Sequence, residues 1–287
     1  MKTAKRARTD AVATSPIVLI AQREVTITVR NRWTVIMAGV FGVLMLVIAW
    51  AGVAADGYDG MADFTRTSAS MVNLVLYVVP LMALVLATLS LAGDRGTTEL
   101  LFSQPVSRTE VMLGKIAGLF VAMGGAMVAG FIVSGGVVLF QSGTHGIGGF
   151  IAFAVMTLLL GLIFLCVGAL ATMLAGRRPR SFGFAILLWF HFVLFYDLVV
   201  LGLASQLRGQ SAVTALFLSL FGNPVDLVRV ASLIVLDNET IFGATGAALL
   251  RFLGGPEVSI LVLVVAAVLW VALPLLWAHA VLRSQDI

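Results

Sequence analysis

The stretch that decides the fold runs from Gly149 to Ala175 and reads GFIAFAVMTLLLGLIFLCVGALATMLA. It contains no charged residue. A bilayer core of about 30 Å is crossed by roughly 20 apolar residues in a helix, because a helix satisfies every backbone N–H and C=O within the segment. The stretch is therefore predicted to be a transmembrane helix.

The rest of the 287-residue chain has the same character. Hydrophobic residues make up 60% of it and charged residues 11%, with a mean hydropathy of +1.08. A soluble domain carries roughly 25% charged residues. The apolar runs are too long and too unbroken for the alternating pattern of a membrane β-barrel. We therefore expect an all-α polytopic membrane protein, with residues 1–287 forming a single transmembrane domain.

Five further apolar runs are long enough to cross a membrane, some of them with tilt. The six predicted spans are Trp33–Ala55, Val72–Ala92, Ile116–Phe140, Gly149–Ala175, Ser181–Ala204 and Val258–Leu282. Before the first span, Pro16–Arg32 mixes apolar and charged residues, and as a helix it would be amphipathic and lie in the membrane surface. A strand is the alternative, suggested by VTITVR, but it would leave its backbone groups unpaired. Residues 1–32 are thus predicted to be a cytoplasmic tail and an amphipathic helix.

The distribution of Lys and Arg predicts the orientation. With the N-terminus inside, 14 of the 18 basic residues lie in inner segments and 4 in outer loops. Lys and Arg are enriched on the cytoplasmic side of membrane proteins. We expect a multi-pass protein of the bacterial or archaeal cytoplasmic (inner) membrane, with both termini cytoplasmic. Topology and anionic lipid explain the basic residues, so no nucleic-acid partner is expected.

One outer segment, residues 205–257, is unusually long and apolar. Its first apolar piece is broken by Asn223-Pro224, Asp226 and Arg229. A proline is expected to stop a helix just before it. The pattern predicts short helices that lie at the outer face or dip into it. The alternative is that this segment contains two further spans. An even number of additional crossings would leave the other segments on the same sides of the membrane, so the distribution of Lys and Arg does not exclude it.

Between the second and third spans lies a polar insert, residues 93–115. It reads GDRGTTELLFSQPVSRTEVMLGK and holds six charges in 23 residues. Ser107 and Glu110 have the capping-box spacing, which predicts a helix start. Pro105 forces a break before it. We expect a short helix over Thr97–Ser103, a turn, and a new helix that leads into the third span. A short helix that projects from the membrane surface is suited to binding in a groove on a partner protein.

This insert, together with the six-span layout and the surface helix, resembles the permease subunits of ABC-2 type transporters. In that family the segment between the second and third spans is the cytoplasmic coupling element that docks on the ATPase. The resemblance implies an ATPase-coupling role for Gly96, Thr97, Glu99, Leu100, Leu101, Phe102, Pro105, Ser107 and Arg108, with Lys115 also matching. Glu99 and Arg108 would be polar anchors, and Leu100–Phe102 an apolar plug. Of the acidic stretch that the family often places earlier, only Asp94 and Arg95 match.

The resemblance also implies partners. These are a cytoplasmic ABC ATPase that binds ATP and Mg²⁺, a second copy of the chain in a homodimer, and membrane lipid. The chain itself has no P-loop, since Gly114-Lys115 is followed by Ile116 and the first glycine of the motif is replaced by Thr109. We therefore expect no catalytic residue, no cofactor bound by this chain and no enzymatic activity in it.

A narrower likeness lies in the outer segment, where NPVDLVRV is followed by GATGAALLRFLGG. It is similar to the permeases of nitrous oxide reductase maturation systems, which pair the permease with a cytoplasmic ATPase and a periplasmic solenoid protein. The likeness implies a role in copper-enzyme maturation and denitrification, and contact with a periplasmic partner through Asn223, Pro224, Asp226 and Arg229. An exporter of another small molecule or lipid-like substrate, an ion-driven secondary transporter and a non-transporting scaffold or sensor are the alternatives.

Ionisable residues within a membrane span point to function by default. His191 and Asp197 in the fifth span could line a polar path with Tyr196. The alternative is that His191 hydrogen-bonds a neighbouring helix and Asp197 lies at the interface. No metal site is expected, because the three histidines are far apart in the sequence and the methionines are scattered. Cys166 is expected to pack in the core.

Overall fold

The computed structural model of the protein describes residues 15–55, 63–92, 107–142, 147–236, 250 and 252–284. These residues form helices and turns, with no strand among them. The helices are α1 (Pro16–Arg30), α2 (Arg32–Ala55), α3 (Asp63–Leu91), α4 (Arg108–Ser142), α5 (Ile147–Ala175), α6 (Arg178–Phe190), α7 (Tyr196–Ala204), α8 (Gln210–Ser219), α9 (Pro224–Val235) and α10 (Pro256–Ser284). A π-helical turn, His191–Phe195, joins α6 to α7, and a 3₁₀ turn, Leu220–Gly222, follows α8.

The six predicted spans are confirmed. Within the described residues, α2, α3, α4, α5, α6 with α7, and α10 are each long and apolar enough to cross a membrane. The helix α3 begins at Asp63, well before its predicted span, and α4 begins at Arg108, where the capping box predicts a helix start. Polar residues continue both helices beyond their apolar part, which a count of apolar residues does not register.

The segment before the first span is a helix, so the strand alternative is wrong. Pro16 occupies its first turn, where the missing N–H costs nothing. Asn31 separates α1 from α2, and its Oδ1 accepts a hydrogen bond from the Trp33 N–H at 2.9 Å. The helix α1 packs most extensively against α4, and buries Glu24 and Thr28. That α1 lies in the membrane surface stays a prediction.

The core lies around α3 and α5, which pack on each other in the centre of the bundle. The helix α2 lies on α4, α6 on α3, and α10 on α5. The largest fully buried side chains are Phe41, Phe153, Phe164, Met45, Met71, Leu76, Met82, Leu84, Leu119, Met123, Met127 and Leu160. Cys166 is 1% exposed, which confirms the prediction that it packs in the core.

Three threonine hydroxyl groups inside the bundle are satisfied by their own helices. Thr88, Thr157 and Thr172 are buried, and each donates to the carbonyl oxygen four residues earlier, at 2.7–2.9 Å. Such back-bonding removes the cost of burying a hydroxyl in an apolar surrounding. These three threonines therefore fit the core without forming a polar route through it.

The described part of the long outer segment forms two short helices, α8 and α9, bent by 103° at their junction. The start of α8 is close in sequence to the end of α7. The end of α9 lies against the start of α5, where a Cβ added to Gly149 would be 2.8 Å from the Val235 carbonyl oxygen. The end of α7 and the start of α5 lie at the same end of the bundle. The two helices therefore enter and leave at one end, and we call them the re-entrant pair.

Candidate functional site

We call the end of the bundle where α3 ends and α4 begins the insert end, and the opposite one the far end. Most of the predicted coupling residues, with the expected helix Thr97–Ser103, fall in the part 93–106 and lie outside the described residues. They are Gly96, Thr97, Glu99, Leu100, Leu101, Phe102 and Pro105. Ser107 and Arg108 are described, and they open α4.

The predicted capping box at the start of α4 is confirmed. The Ser107 hydroxyl and its N–H both donate to Glu110 Oε2, at 2.7 and 2.8 Å. The Glu110 N–H donates back to Ser107 Oγ at 3.3 Å. These bonds satisfy N–H groups that a helix start leaves without partners. They fix the point at which the chain passes from the insert into α4.

Two cations cap the last turn of α3, just before the insert. Lys115 of α4 donates from Nζ to the Ser90 carbonyl oxygen at 2.8 Å. Arg178 of α6 donates from Nη2 to the Leu89 carbonyl oxygen at 3.2 Å. The last carbonyls of a helix have no partner within it and carry partial negative charge, so cations are favourable there. The charge pattern of the sequence indicates a topological role for both cations, and the family resemblance adds a coupling role for Lys115, but neither predicts these caps.

A third element reaches the same turn from α1. The Ser90 hydroxyl donates to Glu24 Oε1 at 2.5 Å, across 66 positions of sequence. Glu24 is only 7% exposed, and a buried carboxylate is tolerated only when it is hydrogen-bonded. We call Glu24, Leu89, Ser90, Lys115 and Arg178 the α3-end cluster. It joins α1, α4 and α6 to the helix end from which the insert leaves.

Two glycines let α1 lie directly on the backbone of α4. A Cβ added to Gly118 would be 2.6 Å from the Ala21 carbonyl oxygen, and one added to Gly114 would be 2.8 Å from Ile20 Cβ. Glycine permits such close helix approach in membrane proteins. The burial of Glu24 beside Gly118 follows from this contact.

The last span is also joined to the insert end. Thr109 Oγ1 lies 3.1 Å from His279 Nδ1, which links the first turn of α4 to α10. With the α3-end cluster, this contact brings five helices together around the two edges of the insert.

Within the bundle, the re-entrant pair has a polar tip. Asn223 is fully buried, and its Oδ1 accepts from the Val225 N–H at 3.0 Å and so caps α9. Its Nδ2 donates to the Phe192 carbonyl oxygen in the π-helical turn and to Asp226 Oδ2, each at 2.9 Å. Phe192 lies near the middle of the fifth span, so the tip reaches the middle of the bundle.

An ion-paired group lies beside that tip. Arg229 Nη1 lies 3.2 Å from Asp197 Oδ2 and 2.7 Å from Asp226 Oδ1. Of the two residues predicted to line a polar path, Asp197 is thus paired with the re-entrant pair. His191 is exposed, and its ring lies edge-on to Phe192, with centroids 4.9 Å apart. The polar path itself stays a prediction.

The residues predicted to contact a periplasmic partner are Asn223, Pro224, Asp226 and Arg229. Asn223 and Pro224 are buried, and the side chains of Asp226 and Arg229 are 15% and 29% exposed. Their contacts hold the re-entrant pair to the fifth span. Partner contact through them stays a prediction.

Metal-binding groups are not clustered in the part of the chain that the structure describes. No three His, Cys, Asp or Glu side chains there are placed to hold a metal ion. The polar groups that do converge form the α3-end cluster and the tip of the re-entrant pair, and both join helices to one another.

Comparison with known proteins agrees with this architecture. Residues 18–287 match the family described as ABC-2 family transporter protein. A probable ABC transporter permease protein NosY of Pseudomonas aeruginosa is 31% identical over 274 residues, which cover 93% of this chain and 98% of that protein. A protein of the same name from Stutzerimonas stutzeri is 31% identical over 275 residues, with coverage of 93% and 97%. The chain therefore belongs to the ABC-2 family and is an ABC transporter permease of that type.

Proposed function

We propose that this permease receives the movement of a separate cytoplasmic ATPase through its insert, residues 93–115, and passes it to the far end of the bundle. One observation carries the proposal. The two helix ends that flank the insert are joined by hydrogen bonds to α1, α6 and α10. A displacement of the insert therefore acts on most of the bundle at once.

The proposed sequence of movements begins with the ATPase, which supplies the energy from ATP with Mg²⁺. Closure of its dimer moves the segment near Thr97–Ser103, and the turn at Pro105 passes the movement into α3 and α4. Two copies of the permease then rock against each other, and their far ends change shape. The re-entrant pair follows the fifth span, because Asn223 and Arg229 hold it there.

We further propose that the process served is maturation of the copper enzyme nitrous oxide reductase. The name NosY of both relatives supports this, as does the NPVDLVRV stretch. The insert end would face the cytoplasm and the far end the periplasm of a bacterial inner membrane. Force would then reach a periplasmic solenoid protein through residues 205–257. Since Asn223 and Pro224 are buried, direct contact would fall to Arg229 and the exposed residues of the segment.

Co-purification tests the role of the insert. The permease is produced together with a candidate P-loop ATPase and extracted in mild detergent. The ATPase is expected to accompany the wild type and to be lost from the double variant Glu99→Ala with Arg108→Ala. The matched control is Arg208→Ala, an exposed arginine at the far end, and it should retain the ATPase. A wild-type permease that retains no ATPase would contradict the proposal and favour an ion-driven or scaffold role.

The process is tested separately in a denitrifying host. Deletion of the gene is expected to leave nitrous oxide reductase with less copper, and expression of the wild-type chain should restore it. A reductase with its full copper content in the deletion strain would contradict the maturation role. It would then favour export of another small molecule or lipid-like substrate by the same ATP-driven mechanism.

A further inference from the structure

We propose that α1 is a moving part of the coupling apparatus, positioned on the end of α3 by Glu24 through Ser90. In this proposal α1, the last turn of α3 and the first turns of α4 move as one body when the insert is displaced. The inference rests on the proposed function, because it describes how movement of the insert spreads. Glu24 and Ser90 are positioning residues that act through the helices they join.

The α3-end cluster lies at the base of the insert. Ser90 lies shortly before the insert begins at Gly93, and Lys115 is its last residue. The Lys115 ammonium donates to the Ser90 carbonyl oxygen at 2.8 Å, so the two edges of the insert are tied to each other there. A displacement of the insert therefore acts on the pair as a unit.

The contact from α1 to this cluster is a buried polar one. The Glu24 carboxylate is buried, and it accepts from the Ser90 hydroxyl at 2.5 Å. A buried charge is a poor source of net stability, since its desolvation offsets the attraction. Buried polar contacts can instead fix the register between elements, and a carboxylate that loses its partner is strongly unfavourable. The contact therefore ties α1 to one position on the end of α3.

The helices α1 and α4 approach each other very closely. At Gly114 and Gly118 an added Cβ would come within 2.8 Å of α1. This leaves no layer of flexible side chains there to absorb a displacement. Interfaces packed in this way pass small shifts on instead of deforming continuously. When the start of α4 moves, α1 is expected to follow.

The connection from α1 to the first span is short. A single residue, Asn31, separates α1 from α2, and its side chain accepts from the Trp33 N–H at 2.9 Å. This hydrogen bond caps the start of α2 and fixes the turn between the two helices. A shift of α1 is therefore passed to α2, which forms the first span. The insert thus acts on α2 through α1 as well as on α3 and α4 directly.

The first experiment breaks the contact. The permease with its bound ATPase is placed in nanodiscs, with Cys166→Ala and a reporter cysteine at the exposed Gln210 of the far end. The readout is the ATP-dependent change in labelling of that cysteine by a membrane-impermeant maleimide. Glu24→Ala is expected to keep the ATPase bound and to reduce this change at least about fivefold, the lower end of typical coupling between sites. Gln22→Ala, on the exposed side of α1, should match the unsubstituted reporter protein.

Ser90→Ala provides a second, milder break and should act in the same direction, because it leaves Glu24 buried without its donor. It serves where Glu24→Ala lowers the yield of folded protein, as judged by gel filtration. A full ATP-dependent change in both variants, with the ATPase bound, would overturn the inference and leave α1 a passive anchor.

The second experiment locks the contact in place of breaking it. Glu24→Cys and Ser90→Cys are combined and bridged by a short bis-alkylating thiol reagent while the exposed reporter cysteine is protected as a mixed disulfide. The mixed disulfide is then reduced, which leaves the thioether bridge intact, and the reporter cysteine is labelled. Since α1 and the end of α3 are proposed to move together, the bridge should restore the ATP-dependent change that the unbridged double variant loses. A bridge that abolishes the change would show that α1 must move relative to α3, and would overturn the inference. Loss of the ATPase from the wild-type complex would instead overturn the proposed function, and this inference with it.

Discussion

The side-chain amide of Asn223 donates a hydrogen bond to the carbonyl oxygen of Phe192 across 2.9 Å. The bond joins the tip of the re-entrant pair to the π-helical turn of the fifth span. A π turn departs from the regular hydrogen bonding of an α-helix, and such turns are frequent at functional sites. Here the turn offers a carbonyl that a side chain from another element reaches. The re-entrant pair is thereby fixed at the middle of the bundle.

The first prediction concerns this bond. Asn223→Ala removes two donated hydrogen bonds and the cap of α9, and leaves buried groups unpaired. We expect a loss of roughly 2–4 kcal/mol in the free energy of unfolding. Thermal unfolding in detergent measures it, with Gln206→Ala, an exposed residue near the start of the pair, as the control. Equal midpoints for the two variants would show that the tip is not held as described.

The second prediction concerns the ion-paired group at Arg229. Arg229→Ala leaves the largely buried Asp226 without its cation, whereas Asp197→Asn removes only the more exposed partner. We therefore expect Arg229→Ala to be the more destabilising change, by about 2 kcal/mol or more. Adding Asp226→Asn to Arg229→Ala should recover part of the loss.

A double-mutant cycle in thermal unfolding measures this coupling between Arg229 and Asp226. The two single variants and the double variant are compared with the wild type. Strictly additive effects would contradict an energetic pairing of the two residues.

The third prediction separates the two glycine environments of α4. Alanine is favoured over glycine within a helix by up to about 1 kcal/mol, so Gly125→Ala should be neutral or stabilising, since nothing lies within 4 Å of the added Cβ. Gly118→Ala places the same atom 2.6 Å from the Ala21 carbonyl oxygen. We expect a net loss of about 1–3 kcal/mol there. Opposite shifts in the unfolding midpoint support the contact, and two stabilising shifts would rule it out.

The fourth prediction concerns the capping box. Ser107→Ala should lower the free energy of unfolding by about 1 kcal/mol and loosen the first turn of α4. It removes the hydroxyl oxygen that accepts a hydrogen bond from the Glu110 N–H. Hydrogen–deuterium exchange over residues 107–112 is expected to increase. Ser107→Thr keeps a hydroxyl and should exchange like the wild type. Unchanged exchange in Ser107→Ala would mean that the cap does not hold this turn.

Much of the fold is predictable from the sequence, because the bilayer imposes a simple requirement on length and polarity. A run such as Gly149–Ala175 has no other plausible structure. The capping box at Ser107 is equally predictable, since its two members are three residues apart and the motif is local.

The α3-end cluster is not predictable in the same way. Glu24 has the sequence character of a residue on the polar face of a surface helix, yet it is buried against a serine 66 positions away. Lys115 and Arg178 satisfy the rule for cytoplasmic charge, so nothing in the sequence marks them as caps of α3. The glycines at positions 114 and 118 are the available signal, because they allow a neighbouring helix to approach. They do not identify which helix that is.

The bend of the re-entrant pair is partly predictable. The Asn223-Pro224 break is visible in the sequence. How far the re-entrant pair reaches into the bundle is not. The tip is held by carbonyl oxygens and indole groups of distant spans, such as the Trp270 N–H that donates to the Phe221 carbonyl oxygen at 3.0 Å. Such backbone acceptors carry no residue-specific signal in a sequence.

The central claim is that the insert is where this permease meets its ATPase. Its most direct test is a photo-cross-linking amino acid placed at Leu101 in whole cells, with Gln210 at the far end as the control position. We predict an ATP-binding subunit cross-linked from Leu101 and none from Gln210. If Leu101 yields only lipid adducts or other proteins while the wild-type complex remains assembled, the insert is not the dock and the claim is contradicted.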